Sequence, residues 1–131
     1  MKKAILCVDD EQIVLTSLKT QIREHFGDRY MYEVAESVDE AWEVIEELDG
    51  KGIRLLIIVS DWLMPGIKGD EFLIQVHRKF PGVVKVMLTG QASEEAIARV
   101  IREANLARCL HKPWTEQELI ETIKQGLEGK E

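Results

Sequence analysis

Five polar positions stand where apolar runs stop. Asp9 and Asp10 close the first such run, Asp61 the third, Thr89 the fourth, and Lys112, followed by Pro113, the fifth. Strand tips give such side chains no core to fill, so chemistry is the better explanation for them. Two unit charges about 4 Å apart repel by roughly 4 kcal/mol at an effective dielectric near 20, so three neighbouring carboxylates need a cation. Lys112 offsets one charge. The hard oxygens of Asp10 and Asp61 suit Mg²⁺, which takes one or two carboxylates and keeps several waters, and Asp9 would then orient a metal-bound water. With no His or Cys at the rim apart from His111, Mg²⁺ or Mn²⁺ is favoured over zinc. A carboxylate beside such a cation, an ammonium and a hydroxyl can attack a phosphoryl group and become an aspartyl phosphate, with Thr89 donating to a phosphoryl oxygen. Movement of Thr89 toward that group would carry the modification to the outer surface.

The five groups meet only if the chain folds so as to bring the strand ends together. Ala4 to Val8, Tyr30 to Ala35, Leu55 to Ser60, Val84 to Leu88 and Arg108 to His111 read as buried strands. The third is continuously apolar, as a central parallel strand covered on both faces should be. Between and after them run stripes at helical spacing: Leu15, Leu18, Ile22, Phe26; Ala41, Val44, Ile45, Leu48; Phe72, Leu73, Val76, Phe80; Ala96, Ile97, Val100, Ile101; and Leu119, Ile120, Ile123, Leu127. Ser37 with Glu40 and Thr115 with Glu118 fit the capping box. Pro65-Gly66 and Pro81-Gly82 punctuate loops. Alternating strands and helices predict a parallel α/β sheet with right-handed crossovers and helices on both faces, its ligands at the carboxyl ends of the strands.

With 131 residues, residues 1–131 are expected to form a single domain, and no internal repeat or linker interrupts them. No apolar run approaches the roughly 20 residues that span a bilayer, and the acids at 9–11 cut short the stretch after Met1-Lys2-Lys3, so no membrane association and a cytoplasmic location are expected. A formal charge of -7 argues against direct nucleic-acid binding by this domain. Cys7 and Cys109 lack metal-ligand spacing and read as free thiols rather than a disulfide. The tryptophans at 42, 62 and 114 read as packing residues, Trp62 bordering the site. His25 and His77 read as surface or core-edge residues.

The pattern Val8-Asp9-Asp10-Glu11, Ser60-Asp61-Trp62-Leu63-Met64-Pro65-Gly66 with Gly69, Leu88-Thr89-Gly90 and His111-Lys112-Pro113-Trp114 resembles the receiver domain of two-component response regulators over essentially the whole chain. The resemblance implies a flavodoxin-like, doubly wound five-stranded sheet of order 2-1-3-4-5 with five helices. It implies Asp61 as the phosphoacceptor, and Mg²⁺ held by Asp9, Asp10, Asp61 and the backbone carbonyl of Leu63. It further implies Thr89 as the switch hydroxyl, Lys112 as the phosphate-contacting amine, and a cis bond before Pro113. The implied partners are a histidine kinase or histidine phosphotransfer protein. Downstream, an output domain or protein, or a second copy in a homodimer, would dock on the face of the fourth helix, fifth strand and fifth helix, which would present Arg99, Arg102, Arg108 and Lys124. One departure stands out: Cys109 occupies the place where such domains commonly carry a switch aromatic.

Three other readings compete. An Mg²⁺-dependent phosphohydrolase with an aspartate nucleophile would want an acid two residues after Asp61 to protonate its leaving group, and that residue is Leu63. A nucleotide- or flavin-binding module would want glycines in the loop after the first strand, where Asp9-Asp10-Glu11-Gln12 has none. A docking module that is never phosphorylated would have no use for a complete set of five key positions. The expectation is therefore a signalling module whose only chemistry is to take up a phosphoryl group and slowly release it.

Overall fold

The computed structural model describes residues 2–64 and 66–128; Pro65 of the expected loop signal lies outside the described residues. Strands β1 (Lys3–Val8), β2 (Met31–Ala35), β3 (Arg54–Asp61), β4 (Val84–Thr89) and β5 (Arg108–His111) alternate with helices α1 (Gln12–Phe26), α2 (Val38–Gly50), α3 (Gly69–Lys79), α4 (Glu94–Ala104) and α5 (Glu116–Leu127). All neighbouring strands are parallel, in the order β2-β1-β3-β4-β5. This is the flavodoxin-like arrangement. Asp61 and Thr89 fall inside their strands as last residues, one position beyond the ends expected from the apolar runs, because Asp61 pairs with Leu88 and Thr89 with His111. The strand ladder therefore fixes the backbone of both.

The alternation of strand side chains divides the core in two. Ile5 and Cys7 of β1, with Ile57 and Val59 of β3, pack under α1 and α5 through Leu15, Leu18, Ile22, Phe26, Leu119 and Ile123. Leu6, Val8 and Ile58 face the opposite layer, where Ala41, Ile45, Phe72, Leu73, Val76 and Val100 come from α2, α3 and α4. Full burial of one such Leu, Ile or Phe stabilises by about 1.5–3 kcal/mol. Phe72, fully buried and edge-on to Trp42 at 5.7 Å between ring centres, is a point where truncation to Ala would cost about 3–5 kcal/mol. Register slips between Ala4, paired with Leu55, and Ile5, paired with Ile57. Leu56 is thereby left over as a bulge residue and joins the α1/α5 layer.

Helix starts follow their caps unevenly. Thr115 and Glu118 form the reciprocal capping box, whereas Ser37 accepts from the Glu40 backbone N–H without its own N–H donating in return to the Glu40 carboxylate, so only half of that expected motif forms. Ser93 caps α4 by accepting from Ala96 N–H, and Asn105, with φ 52°, ends it in the left-handed region that Asn tolerates. No helix among the described residues is long and apolar enough to cross a membrane.

Candidate phosphoacceptor and metal site

The fold brings Asp9, Asp10, Asp61, Thr89 and Lys112 to one cleft at the carboxyl edge of the sheet. Its volume is about 480 Å³, and Glu11, Trp62, Leu63, Met64, Gly90 and Gln91 complete the lining around Asp10, Asp61, Thr89 and Lys112. Asp9 lies beneath, fully buried. One oxygen of Asp9 accepts from the Glu11 backbone N–H at 2.9 Å and the other from Lys112 Nζ at 2.9 Å, so both its oxygens are engaged in orienting it. Lys112 Nζ also stands 3.1 Å from Asp61 Oδ1 and 3.8 Å from Glu11 Oε1. The ammonium is held in place from its own strand end, where the Lys112 N–H donates to the Thr89 carbonyl at 2.9 Å. The Lys112–Pro113 bond is cis.

The charge balance is uneven. Burial, with the neighbouring Asp9 and Asp10 charges, raises the Asp61 pKa above the ordinary carboxylate value even though Lys112 pulls it down. Burial alone would lower the Lys112 pKa, but its hydrogen bonds to Asp9 and Asp61 more than compensate and raise it. One lysine thus does not satisfy the carboxylates. Asp9, Asp10 and Asp61 offer oxygens all within 4.8 Å of one another, Asp10 being exposed and the other two buried. An acidic, oxygen-only donor set still short of positive charge fits a hard divalent cation such as Mg²⁺.

Around this centre the backbone is closely fitted. Trp62 N–H donates to Leu88 C=O at 2.9 Å, and Gly69 N–H to Trp62 C=O at 2.8 Å. A Cβ on Gly69 would overlap the Asp61 carbonyl oxygen and come within 2.8 Å of Trp62 Cα, so α3 can start this close to the Asp61 backbone only with glycine there. Thr89 is buried, and its Oγ1 accepts from the N–H groups of Gln91 and Ala92, leaving the hydroxyl proton to donate elsewhere. Trp62 borders the cleft as expected; Lys68 Nζ sits 5.0 Å from its ring centre, and its buried Nε1 has no hydrogen-bond partner among the described residues.

Several placements were not legible beforehand. Glu11, which follows the acidic pair in the first motif, lines the cleft, and so does Gln91, whose local pattern does not separate it from other loop residues. Lys85, buried at 1 % exposure, lies inside an apolar strand, and His77, half-buried at the core edge, has its Nδ1 2.8 Å from that lysine's Nζ. Arg99 does not present itself on the α4-β5-α5 face: it turns toward α3, 2.7 Å from Glu71 and 3.6 Å from Asp70. The two cysteines are free. Burial pushes the Cys7 thiol up to about 12 and raises that of the half-buried Cys109 as well, so both stay protonated at neutral pH.

A doubly wound parallel sheet with three carboxylates, a lysine and a threonine at its carboxyl edge defines a class of acidic-cleft α/β proteins. Comparison with known proteins narrows the class: the "Response regulator receiver domain" family matches residues 5–124, and the chain belongs to that family. It is 29% identical over 125 residues to the hydrogenase transcriptional regulatory protein HoxA of Cupriavidus necator, covering 95% of this chain and 24% of that protein. It is 32% identical over 124 residues to the sensor kinase CckA of Brucella abortus, covering 95% of this chain and 12% of that one. The chain therefore spans a quarter or less of the length of these two relatives. Among solved structures, a CheY-like response regulator receiver domain protein from Methanospirillum hungatei superposes with a TM-score of 0.84 at 30% identity, over 98% of this chain and 95% of that one.

Proposed function

We propose that this receiver domain is a phosphorylation-controlled switch in which Asp61 takes a phosphoryl group from a phosphohistidine on a histidine kinase or histidine phosphotransfer protein. The observation that carries the reading is the Asp9–Lys112–Asp61 arrangement: a buried carboxylate with raised pKa, held at 3.1 Å by an ammonium that is itself anchored on a second buried carboxylate. In the transfer an Asp61 carboxylate oxygen bonds to phosphorus, the P–N bond breaks, its electron pair returns to the imidazole, and that nitrogen takes a proton from solvent. Lys112 Nζ neutralises charge on the phosphoryl oxygens, and the Thr89 hydroxyl donates to one of them. Asp10, Asp61 and the Leu63 carbonyl, with Asp9 acting through water, would hold Mg²⁺, which when bound supplies further charge neutralisation at the same oxygens.

Turnover of external phosphate esters is disfavoured because Leu63, two residues past Asp61 and 53% exposed at the cleft, cannot protonate a leaving group. The domain would act in the cytoplasm. Phosphorylation would alter docking on the α4-β5-α5 face toward an output domain, an output protein or a second copy. Relatives that are a transcriptional regulator and a sensor kinase support a place between kinase and output. The test is binding of the phosphoryl mimic beryllofluoride with Mg²⁺, followed by ¹⁹F NMR. Bound-fluoride signals that need Mg²⁺ and vanish in Asp61→Asn are expected; signals that persist in that variant would sink the assignment.

A further inference from the structure

The two walls of the cleft hang on different helices. On the Asp61 side, α3 starts with Gly69, whose N–H donates to the Trp62 carbonyl and whose missing Cβ lets it lie against the Asp61 carbonyl. On the Thr89 side, the loop leading to α4 is gathered onto Thr89 Oγ1 by the Gln91 and Ala92 N–H groups. Burial holds these helices very unequally, since α3 buries six residues and α4 only Val100 and Ala104, with Ile101 left 54% exposed. Ile97 packs partly buried beside them, yet α4 has less buried surface than α3 to fix it, so polar ties contribute more to its position.

Arg99 provides such a tie. Its Nη2 is 2.7 Å from Glu71 Oε2, its Nη1 3.6 Å from Asp70 Oδ2, and its Nε 3.0 Å from Glu103 Oε2. Each guanidinium nitrogen thus faces a carboxylate. Two of these acids lie in the first turn of α3, directly after Gly69, and the third is on α4 itself. The planar fork of arginine suits this three-way geometry better than a lysine point charge would.

We infer that Arg99 is a positioning residue that ties α4 to the first turn of α3 and thereby keeps the β4–α4 loop closed on Thr89, restraining that hydroxyl from turning to a phosphoryl group on Asp61. The tie itself stands on the geometry, whereas its regulatory meaning rests on the phosphoacceptor reading. Loosening it frees the loop, and because the pair is partly solvent-exposed, salt loosens it too. Loss of the tie shifts the resting population toward a loop that can follow the phosphoryl group, so the mimic binds more tightly.

The experiment compares wild type, Arg99→Gln, Glu71→Gln and the double variant by amide hydrogen exchange without Mg²⁺ or donor, and by beryllofluoride affinity with Mg²⁺. Arg99→Gln is expected to raise exchange at Gln91 and Ala92 by roughly three- to tenfold while β1 amides stay unchanged. Glu71→Gln should act less, and the double variant no more than Arg99→Gln alone, because the two residues share one interaction. Added salt should reproduce the effect in wild type and not in Arg99→Gln. Beryllofluoride affinity should rise by a comparable factor. Unchanged exchange at Gln91 and Ala92 in a folded Arg99→Gln variant overturns the inference, as does an equal rise at every amide, which would signify only lost stability. Raised exchange with unchanged or weaker mimic binding overturns the regulatory half. If wild type binds no mimic, the phosphoacceptor reading and that half fall together, while the exchange data still decide the tie.

Discussion

Lys112 and Lys85 are two poorly exposed lysines at opposite ends of the sheet, and their surroundings could hardly differ more. Lys112 stands among three acids at the rim, within 4 Å of Asp9, Asp61 and Glu11. Lys85, near the start of β4, lies 2.8 Å from the His77 Nδ1 and 3.4 Å from the Pro81 carbonyl. Which nitrogen of that pair donates is set by the tautomer of the imidazole. Burial, reinforced by the Lys85 charge, lowers the His77 pKa. The two contacts described at Lys85 are to an imidazole and a carbonyl; at Lys112 one positive charge is outnumbered by negative ones. The first environment belongs to packing. The second leaves Asp61 with a raised pKa among excess negative charge, which a divalent cation would relieve.

The largest expected contrast is functional. Lys112→Met should weaken beryllofluoride binding by about 100-fold or more, the usual effect of losing one preorganised donor to developing charge. Lys85→Met should leave that affinity within about twofold, being far from the chemistry. Equal losses in the two variants, in parallel titrations, would erase the distinction.

Stability should separate them next. Without metal, Lys112→Met leaves Asp9 and Asp61 facing each other and is expected to cost about 2 kcal/mol in urea unfolding, less than a fully buried pair because the cleft is open to solvent. Mg²⁺ should recover part of that loss. Lys85→Met, an apolar replacement of similar length, should change stability by less than about 1.5 kcal/mol.

Asp61→Asn should move stability the other way. The raised pKa means the folded state holds the Asp61 proton to higher pH than the unfolded chain does. Stability therefore falls as pH rises from the ordinary carboxylate pKa through the raised folded value. Removing the charge should stabilise the metal-free protein by about 1 kcal/mol at neutral pH and flatten that decline. A destabilised Asp61→Asn would show that Lys112 already overcompensates the carboxylates. Lys112 contributes in the opposite sense: its stabilisation is complete below the ordinary lysine pKa and is lost as pH rises through the raised folded one.

The smallest effect belongs to His77. Its lowered folded pKa means that stability declines as pH falls from the ordinary histidine value toward the folded one, where the unfolded chain binds more protons. His77→Gln should shrink that slope in urea midpoints measured across the window without touching phosphoryl-mimic binding. An unchanged slope would place the acid sensitivity elsewhere.

The same contrast explains what the sequence could disclose. The five rim residues were legible because each interrupts an apolar run at its end, and strand ends converge by topology alone. The order of the strands came from family likeness, since periodicity does not rank neighbours. Lys85 was illegible because a lysine inside Val84-Lys85-Val86 looks like a solvent-facing strand position, and one of its partners, His77, sits on a helix eight residues earlier. Arg99 was misplaced because helical spacing gives its direction only within α4, not which acids wait on α3. Gly69 could be noticed but not explained until its approach to the Asp61 carbonyl was seen. Ser37 and Glu40 had the right types and spacing, yet whether a flexible, exposed carboxylate closes the box is decided by side-chain entropy that no spacing reveals.

The central claim is that Asp61, and no other acid of the cleft, accepts the phosphoryl group. The direct measurement is incubation with Mg²⁺ and acetyl phosphate, followed by mass spectrometry that maps the modified peptide. A single phosphoryl adduct on the β3 peptide, lost without Mg²⁺ and absent in Asp61→Asn, is the predicted result. An adduct on Asp9 or Asp10, or one unaffected by Asp61→Asn, would contradict it.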